Sequence, residues 1–98
     1  MATYLVVDTL LTNPELYEQY KLKARPIVEH YGGEYLARGG KLSVKEDALW
    51  SPTRVVLIRF PTAAQAEQFY QSPEYQDQAV LGIGNEAARR TVFFLDGV

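Results

Sequence analysis

The residues best suited to chemistry in this sequence are one histidine and two arginines. His30 is the only histidine, and imidazole is the side chain that most readily exchanges a proton near neutral pH. Arg38 and Arg59 both lie in apolar, strand-like stretches, and a guanidinium can hold a carboxylate through two parallel hydrogen bonds. These residue types point to acid–base chemistry at His30 and to anion binding at the arginines.

Each of these residues also has a structural interpretation. His30 lies near the end of the first predicted helix, where a histidine interacts favourably with the helix dipole. This structural role is favoured over an acid–base role. Arg38 has a comparable alternative, since its side chain can project to solvent from the edge of a sheet. His30 is the one residue named as a catalytic candidate, a carboxylate being the alternative, and the sequence assigns no reaction to either.

Arg59 shares one strand face with Val55 and Leu57, so we expect its side chain to be half-buried. A buried guanidinium is costly unless a carboxylate pairs with it, and Asp8 and Glu34 are available partners. Structural pairing is favoured for Arg59, and ligand binding is the alternative.

Aromatic residues are abundant, with seven Tyr, four Phe and one Trp. Tyrosine combines a large apolar body with a polar tip and suits half-buried pockets. An aromatic side chain at helical spacing is more often part of the core, but as a set these residues favour a small apolar or aromatic ligand over a highly charged one. Together with the arginines, which suit a carboxylate, they predict a small aromatic or carboxylate-bearing ligand. The candidate ligand-binding residues are Tyr35, Arg38, Trp50, Arg59, Tyr70 and Tyr75, and Tyr20 belongs to the same aromatic set.

Several classes of site find no support in the sequence. Without cysteine there is no thiol nucleophile and no thiolate metal site, and one histidine disfavours a zinc site built from protein ligands. The glycine pairs at residues 32–33 and 39–40 match neither the P-loop nor the dinucleotide-binding motif. No Ser–His–Asp arrangement is recognisable. We predict no metal and no cofactor.

Charge and hydropathy bear on the partners. The formal net charge is −2 and the basic residues are scattered, whereas nucleic-acid binders usually present a basic face. The segment Met1–Asp8 lacks the basic start of a signal peptide, and no stretch reaches the roughly 20 apolar residues of a membrane span. We predict a cytoplasmic protein that binds neither nucleic acid nor a membrane.

The elements that must position the candidate residues follow the order β-α-β-β-α-β in one domain, residues 1–98. Strands are indicated by β-branched and bulky runs, and helix starts by capping residues followed by Pro or Gln. This order is that of the ferredoxin-like fold, an α+β sandwich with an antiparallel four-stranded sheet. The predicted strands are Tyr4–Leu11, Glu34–Leu36, Arg54–Phe60 and Thr91–Asp96.

Proline and glycine give the local predictions. Pro26 should bend or split the first helix, and Gly32 should end it. Residues 39–40 should break the second strand as a bulge or a tight turn, with residues 42–46 continuing it beyond the break. A loop is predicted at residues 82–85.

Both faces of the predicted sheet are apolar. In the third strand Val55 and Leu57 point one way while Val56 and Ile58 point the other. Helices cover one face, and a bare apolar patch on the second would be unusual in a monomer. An identical sheet is the economical cover, so we predict a homodimer through the sheet faces, a dimeric α/β barrel.

Four stretches together resemble one known family. They are Tyr31–Gly40, the strand Arg54–Phe60 with Pro61 after it, Phe69–Tyr75 and Leu95–Gly97. The glycine-flanked strand with its arginine and the Tyr-x-Ser-Pro-Glu-Tyr turn are similar to the domain-of-unknown-function family numbered thirteen-thirty, in the dimeric α/β-barrel superfamily. The resemblance covers nearly the whole chain and implies a ferredoxin-like dimer.

The resemblance implies no particular reaction. The wider superfamily includes cofactor-independent monooxygenases, lactone isomerases, small hydrolase-like proteins and haem-degrading enzymes, which use a pocket between sheet and helices. Similar sequences tend to carry an arginine shortly after the helix of Tyr75, where this chain has Gly82-Ile-Gly84. If that arginine binds the ligand in relatives, this chain binds a different ligand or none, unless Arg89 or Arg90 substitutes.

Two functions stay open from the sequence. One is an enzyme without metal or cofactor, in which His30 or a carboxylate moves a proton and Arg38 or Arg59 holds an anionic group. The other is a non-catalytic dimeric binding or regulatory domain. An RNA-binding module shares the element order, but it needs stacking aromatics on its central strands, and the strand at residues 54–60 is aliphatic until its end.

Overall fold

Four antiparallel strands form a sheet in the computed structural model, which describes residues 1–98. The strands are β1 (Thr3–Leu11), β2 (Glu34–Arg38), β3 (Val55–Phe60) and β4 (Ala88–Asp96). Their spatial order is β2-β3-β1-β4. The predicted β-α-β-β-α-β order and the ferredoxin-like α+β fold are confirmed.

The helices connect these strands and pack on one face of the sheet. They are α1 (Pro14–His30), α2 (Ala63–Gln71), α3 (Pro73–Gln76), a π-helical turn (Gln78–Gly82) and α4 (Ile83–Ala87). Three helix starts carry the predicted caps, with side-chain oxygens accepting from a backbone N–H three residues later. The capping residues are Asn13 (3.1 Å), Thr62 (3.1 Å) and Ser72 (3.2 Å).

Helix α1 runs through Pro26 without being split, contrary to one of the two predicted outcomes. Pro26 is exposed, so its ring lies on the solvent side of the helix and the missing N–H leaves no buried carbonyl unpaired. Gly32 ends the helix as predicted, with φ of 89°, in the left-handed region that glycine adopts without strain.

The irregularity in β2 lies earlier than predicted. The register against β3 shifts between Tyr35 and Ala37, so Leu36 is the bulged residue rather than the glycine pair. Gly39, with φ of 70°, ends the strand in a turn. Residues 42–46 do not continue the strand and form part of a long irregular loop.

The predicted loop at residues 82–85 is instead helical, since the π-helical turn passes directly into α4. Gly84 serves a close approach of two helices rather than a loop. A Cβ on Gly84 would lie 2.7 Å from the ring of Tyr20, so only glycine lets α4 approach α1 this closely.

The two faces of the sheet differ sharply in burial. Alternate residues of β1 and β3 face the helices and are buried, while their neighbours lie on the opposite face, which no element of the chain covers as a layer. That open face is largely apolar, as predicted, but it also carries Asp8, Arg59, Arg89 and Thr91. Its apolar members are Tyr4, Val6, Leu10, Val55, Leu57, Phe93 and Leu95.

Candidate functional site

A cavity lies between the helix-facing side of the sheet and α1. Most of its walls are apolar, and its only non-aromatic polar side chains are Lys21, Arg38 and Arg90. The spacing of α1 turns one stripe of residues toward this space. The remaining lining residues are Leu5, Val7, Tyr17, Tyr20, Ala24, Val28, Tyr35, Val56, Ile58, Phe69, Tyr75 and Val92.

Two tyrosines and one arginine form a hydrogen-bonded group at the β4 side of the cavity. The hydroxyls of Tyr20 and Tyr75 lie 2.6 Å apart. Arg90 Nη1 donates to the Tyr20 hydroxyl at 3.0 Å and to that of Tyr75 at 3.4 Å. The guanidinium carbon lies 5.3 Å from the centre of the Tyr20 ring, within the range of a cation–π contact.

The protonation states of this group follow from its surroundings. Burial raises the pKa of Tyr20 well above its ordinary value, and the nearby Tyr75 raises it further. Burial alone would lower the pKa of Arg90, but its interactions with Tyr20 and Tyr75 outweigh this and the pKa is raised. At neutral pH the Tyr20 phenol is therefore neutral and lies beside the charged guanidinium of Arg90.

Arg38 and Tyr35 form a second cationic group on the opposite side of the cavity. The Arg38 guanidinium carbon lies 5.1 Å from the centre of the Tyr35 ring. Burial raises the pKa of Tyr35 to about 12, against the opposing effect of Arg38. The register shift at Leu36 is what turns both Tyr35 and Arg38, three residues apart, toward the helix side.

Two further side chains complete the polar surroundings. The Tyr17 hydroxyl accepts a hydrogen bond of 3.1 Å from Arg54 Nη1. Lys21 lies on the inner stripe of α1, but its amine reaches outward to Glu18, with 2.9 Å between Nζ and Oε1. Lys21 is the only cation lining the cavity that has a carboxylate partner.

Hydrogen-bond donors exceed acceptors around the cavity. One O–H joins Tyr20 and Tyr75, so the second hydroxyl hydrogen of this pair has no acceptor. Arg90 finds only phenol oxygens and a long contact of 3.4 Å to Asn85, and its buried Nε has no partner. None of the lining residues is Asp or Glu, so this space offers donors and positive charge without an anion.

The free space is small in this conformation. The cavity volume is only about 30 Å³. The long side chains of Lys21 and Arg38 also line a groove on the outside of α1. They separate the cavity from this groove, so their rotation would enlarge and open it.

Three of the candidate ligand-binding residues line this cavity, namely Tyr35, Arg38 and Tyr75. Tyr70 does not, because its ring packs between Tyr75 and Phe94, with ring centres 5.7 and 6.0 Å away. Trp50 lies on the irregular loop, where its Nε1 donates to Asp8 at 3.1 Å. The structure thus separates the aromatic set into cavity, core and loop members.

Arg59 and His30 lie away from the cavity. Arg59 is exposed on the open face of the sheet, and the expectation that it is half-buried and paired with Asp8 or Glu34 is wrong, since neither forms an ion pair with it. Asp8 binds loop groups instead. His30 is exposed at the end of α1 and lies edge-on to Tyr31, with 5.1 Å between ring centres.

The sequence did not single out Tyr17, Lys21 and Arg90 as site residues, and it placed Tyr20 in the aromatic set without making it a candidate ligand-binding residue. The i, i+3, i+4 spacing of Tyr17, Tyr20 and Lys21 on α1 places them on one face, which is the signal that could have found them. The sequence offers Arg90 only as a substitute for a missing arginine, whereas in the structure it is the cation bound to the hydroxyls of both Tyr20 and Tyr75.

No group of three or more His, Asp or Glu side chains is arranged to hold a metal ion. None of the helices has both the length and the apolar composition needed to cross a membrane.

The family of the chain follows from a match over almost its whole length. Residues 2–98 match the family described as Domain of unknown function (DUF1330). The chain belongs to this family. The resemblance seen in the glycine-flanked strand and the Tyr-x-Ser-Pro-Glu-Tyr turn is confirmed, and the family description carries no activity.

Solved structures show the same fold at low sequence identity. The RPA0582 protein of unknown function from Rhodopseudomonas palustris is 17% identical, with a TM-score of 0.73 over 99% of this chain and 82% of that one. An uncharacterised NIPSNAP domain protein from Burkholderia xenovorans is 16% identical, with a TM-score of 0.57 over 100% and 95%. No protein of curated function matches.

Proposed function

We propose that this protein binds a small carboxylate-bearing molecule in the cavity between α1 and the sheet. The observation that carries this proposal is the surplus of donors and positive charge at Arg90, Tyr20 and Tyr75, with no carboxylate lining the space. An ionised carboxylate is an acceptor-only group with several lone pairs. It would satisfy the spare phenol hydrogen and the guanidinium together.

The apolar walls define the rest of the ligand. Val28, Val56 and Ile58 line the same space as the polar groups. A pocket of this kind gains affinity from the apolar part of a ligand and orientation from a few polar contacts. The ligand is therefore a compact organic acid rather than a free inorganic anion or a highly charged phosphate compound.

Binding rather than acid–base catalysis is the function that this cavity favours. The lining residues include no histidine or carboxylate, and the raised pKa values of Tyr20 and Tyr35 keep both phenols neutral at pH 7. A general base works best with a pKa near the operating pH. Of the two functions that the sequence left open, the non-catalytic binding domain is the one we propose.

We further propose that the protein acts as a homodimer that packs its open sheet faces together. Phe93 and Leu95 are exposed on this face, beside the half-buried Val6 and Leu57 of the neighbouring strands. Burial of such a surface is favourable by about 25 cal/mol per Å² of apolar area. Because the cavity lies on the other side of the sheet, each protomer would hold its own complete binding site.

Thermal unfolding with and without butyrate and benzoate tests the binding function. A ligand that binds only the folded state raises the melting temperature as its concentration rises. We expect such a rise for the wild type and for Lys23→Gln, which removes an exposed positive charge of α1 away from the cavity. The rise should be lost in Arg90→Gln.

Arg90→Lys keeps the positive charge at this position. It replaces Arg90→Gln in the test if the Gln variant does not fold. A partial response in the Lys variant would support the proposal. An unchanged melting temperature of the wild type with every acid, or equal responses in the wild type and Arg90→Gln, would refute it.

A further inference from the structure

The two unpaired cations of the cavity come from opposite edges of the sheet. Arg38 lies on β2 and Arg90 on β4, which are the outer strands in the order β2-β3-β1-β4. Three strand spacings separate these edges, about 14 Å between the backbones. Both side chains nevertheless line the same cavity, so a positive charge lies on each of two sides of it.

Each guanidinium is held at its own end by an aromatic ring. Arg38 lies against Tyr35 at 5.1 Å and Arg90 against Tyr20 at 5.3 Å. These contacts keep the two cations apart instead of letting them meet at one point. The cavity therefore has two cationic ends joined by apolar walls.

Two of the three cations that line the cavity have no carboxylate partner. Lys21 is already compensated by Glu18 at 2.9 Å, whereas neither Arg38 nor Arg90 lies in an ion pair. Two like charges beside one largely apolar space repel each other, and the space is less polarisable than water. A ligand with a single negative charge would leave one of them uncompensated.

We infer that the ligand carries two acidic groups, one bound by Arg90 with the two tyrosine hydroxyls and the other by Arg38 at the mouth of the cavity. This inference rests on the proposed function and specifies its ligand class as short-chain dicarboxylates. Entry takes place between α1 and β2, where Lys21 and Arg38 separate the cavity from the outer groove. Rotation of these two partly exposed side chains admits a ligand that exceeds the present free volume.

Calorimetric titration of succinate against succinamate tests this inference. The two molecules have the same length and nearly the same shape, but succinamate has an amide in place of one carboxylate. We expect succinate to bind the wild type roughly 10- to 100-fold more tightly, as a charged hydrogen bond predicts. The buffer contains no carboxylate, so that nothing competes with the ligand. Titration of the shorter malonate and the longer glutarate measures the distance between the two cationic ends.

The variant Arg38→Gln tests whether Arg38 binds the second acidic group at the mouth of the cavity. It should reduce the preference for succinate over succinamate to about twofold or less, because each ligand then keeps only the contact at Arg90. Lys23→Gln, matched in charge but outside the cavity, should keep the full preference. Circular dichroism and unfolding of the free variants establish that they are folded.

The outcomes distinguish this inference from the proposed function. Equal affinities of succinate and succinamate for the wild type, or an unchanged preference in Arg38→Gln, would overturn the two-ended ligand while leaving acid binding intact. If neither molecule nor butyrate or benzoate binds, the binding function itself fails.

Discussion

The hydroxyls of Tyr20 and Tyr75 lie 2.6 Å apart in a buried setting, with Arg90 donating to both. The hydrogen bonds of this group tie α1 to α3 through the Tyr20–Tyr75 pair and tie both helices to β4 through Arg90. Breaking one of them leaves a further buried polar group unmatched, which costs about 1–3 kcal/mol.

Removal of one hydroxyl from this group should be measurable in stability. In Tyr75→Phe the Tyr20 hydroxyl loses its phenol partner, so we expect the free energy of unfolding to fall by about 1–2 kcal/mol. Tyr70→Phe is the matched control, because the Tyr70 ring packs on Phe94 and its hydroxyl forms no hydrogen bond. It should stay within about 0.5 kcal/mol of the wild type. Urea unfolding of both variants gives the comparison, and equal losses would contradict the role of the pair.

Arg90 shows why the sequence could not select the site residues fully. Residues alternate across a strand, so Arg89 and Arg90 must face opposite sides. The residues that follow, Val92 to Leu95, are apolar on both faces, and the alternation therefore does not reveal which face is inward. Only the packed structure shows that Arg90 reaches Tyr20 while Arg89 is exposed.

The end of the long loop between β2 and β3 is held in place by one carboxylate, that of Asp8. Asp8 of β1 accepts from the backbone N–H and the hydroxyl of Thr53 at 2.9 and 3.1 Å. It also accepts from the Arg54 N–H at 3.2 Å and from Trp50 at 3.1 Å. Four donors on one carboxylate hold the loop end against the sheet.

This anchor should make the loop sensitive to acid. Burial alone would raise the pKa of Asp8, but the hydrogen bonds from Thr53, Arg54 and Trp50 outweigh it and lower the pKa below the usual 3.8. A group whose pKa is lowered on folding stabilises the fold above its unfolded pKa, and this contribution is lost as the pH falls through the folded pKa. The anchor is therefore at full strength at neutral pH.

Asp8→Asn tests this anchor. We expect the variant to be less stable than the wild type at pH 7, and the difference to shrink as the pH is lowered through about 4 and below. Unfolding monitored by the fluorescence of Trp50, the only tryptophan, reports the loop directly. A difference independent of pH would show that the carboxylate charge is not what anchors the loop.

The strands and the main helices could be predicted because their signals are local. Caps such as Asn13 and Thr62 fix helix starts, and apolar runs fix strands. The bulge at Leu36 and the helix after Gly82 escaped prediction because both depend on tertiary packing. In the sequence Gly84 indicates a loop. In the structure it lies in a helix, where only glycine fits because the ring of Tyr20 leaves no room for a Cβ.

In the whole molecule, no element of the chain covers the open face of the sheet. If a second copy covers it, light scattering should give a mass of twice the 11.1 kDa chain. Phe93→Lys places a charge on the open face, where the side chain is 38% exposed, and should give a monomer that stays folded. Leu22→Lys, on the exposed side of α1, should remain a dimer. A wild type that scatters as a monomer at all concentrations would refute the dimer.

A crystal structure of the protein soaked with the most stabilising carboxylate tests most directly whether the cavity between α1 and the sheet holds an organic acid. We expect a carboxylate within about 3 Å of Arg90 and of the Tyr20 or Tyr75 hydroxyl, with Lys21 and Arg38 moved from their present positions. An acid bound only on the outer surface, with this cavity unchanged, would contradict binding between α1 and the sheet.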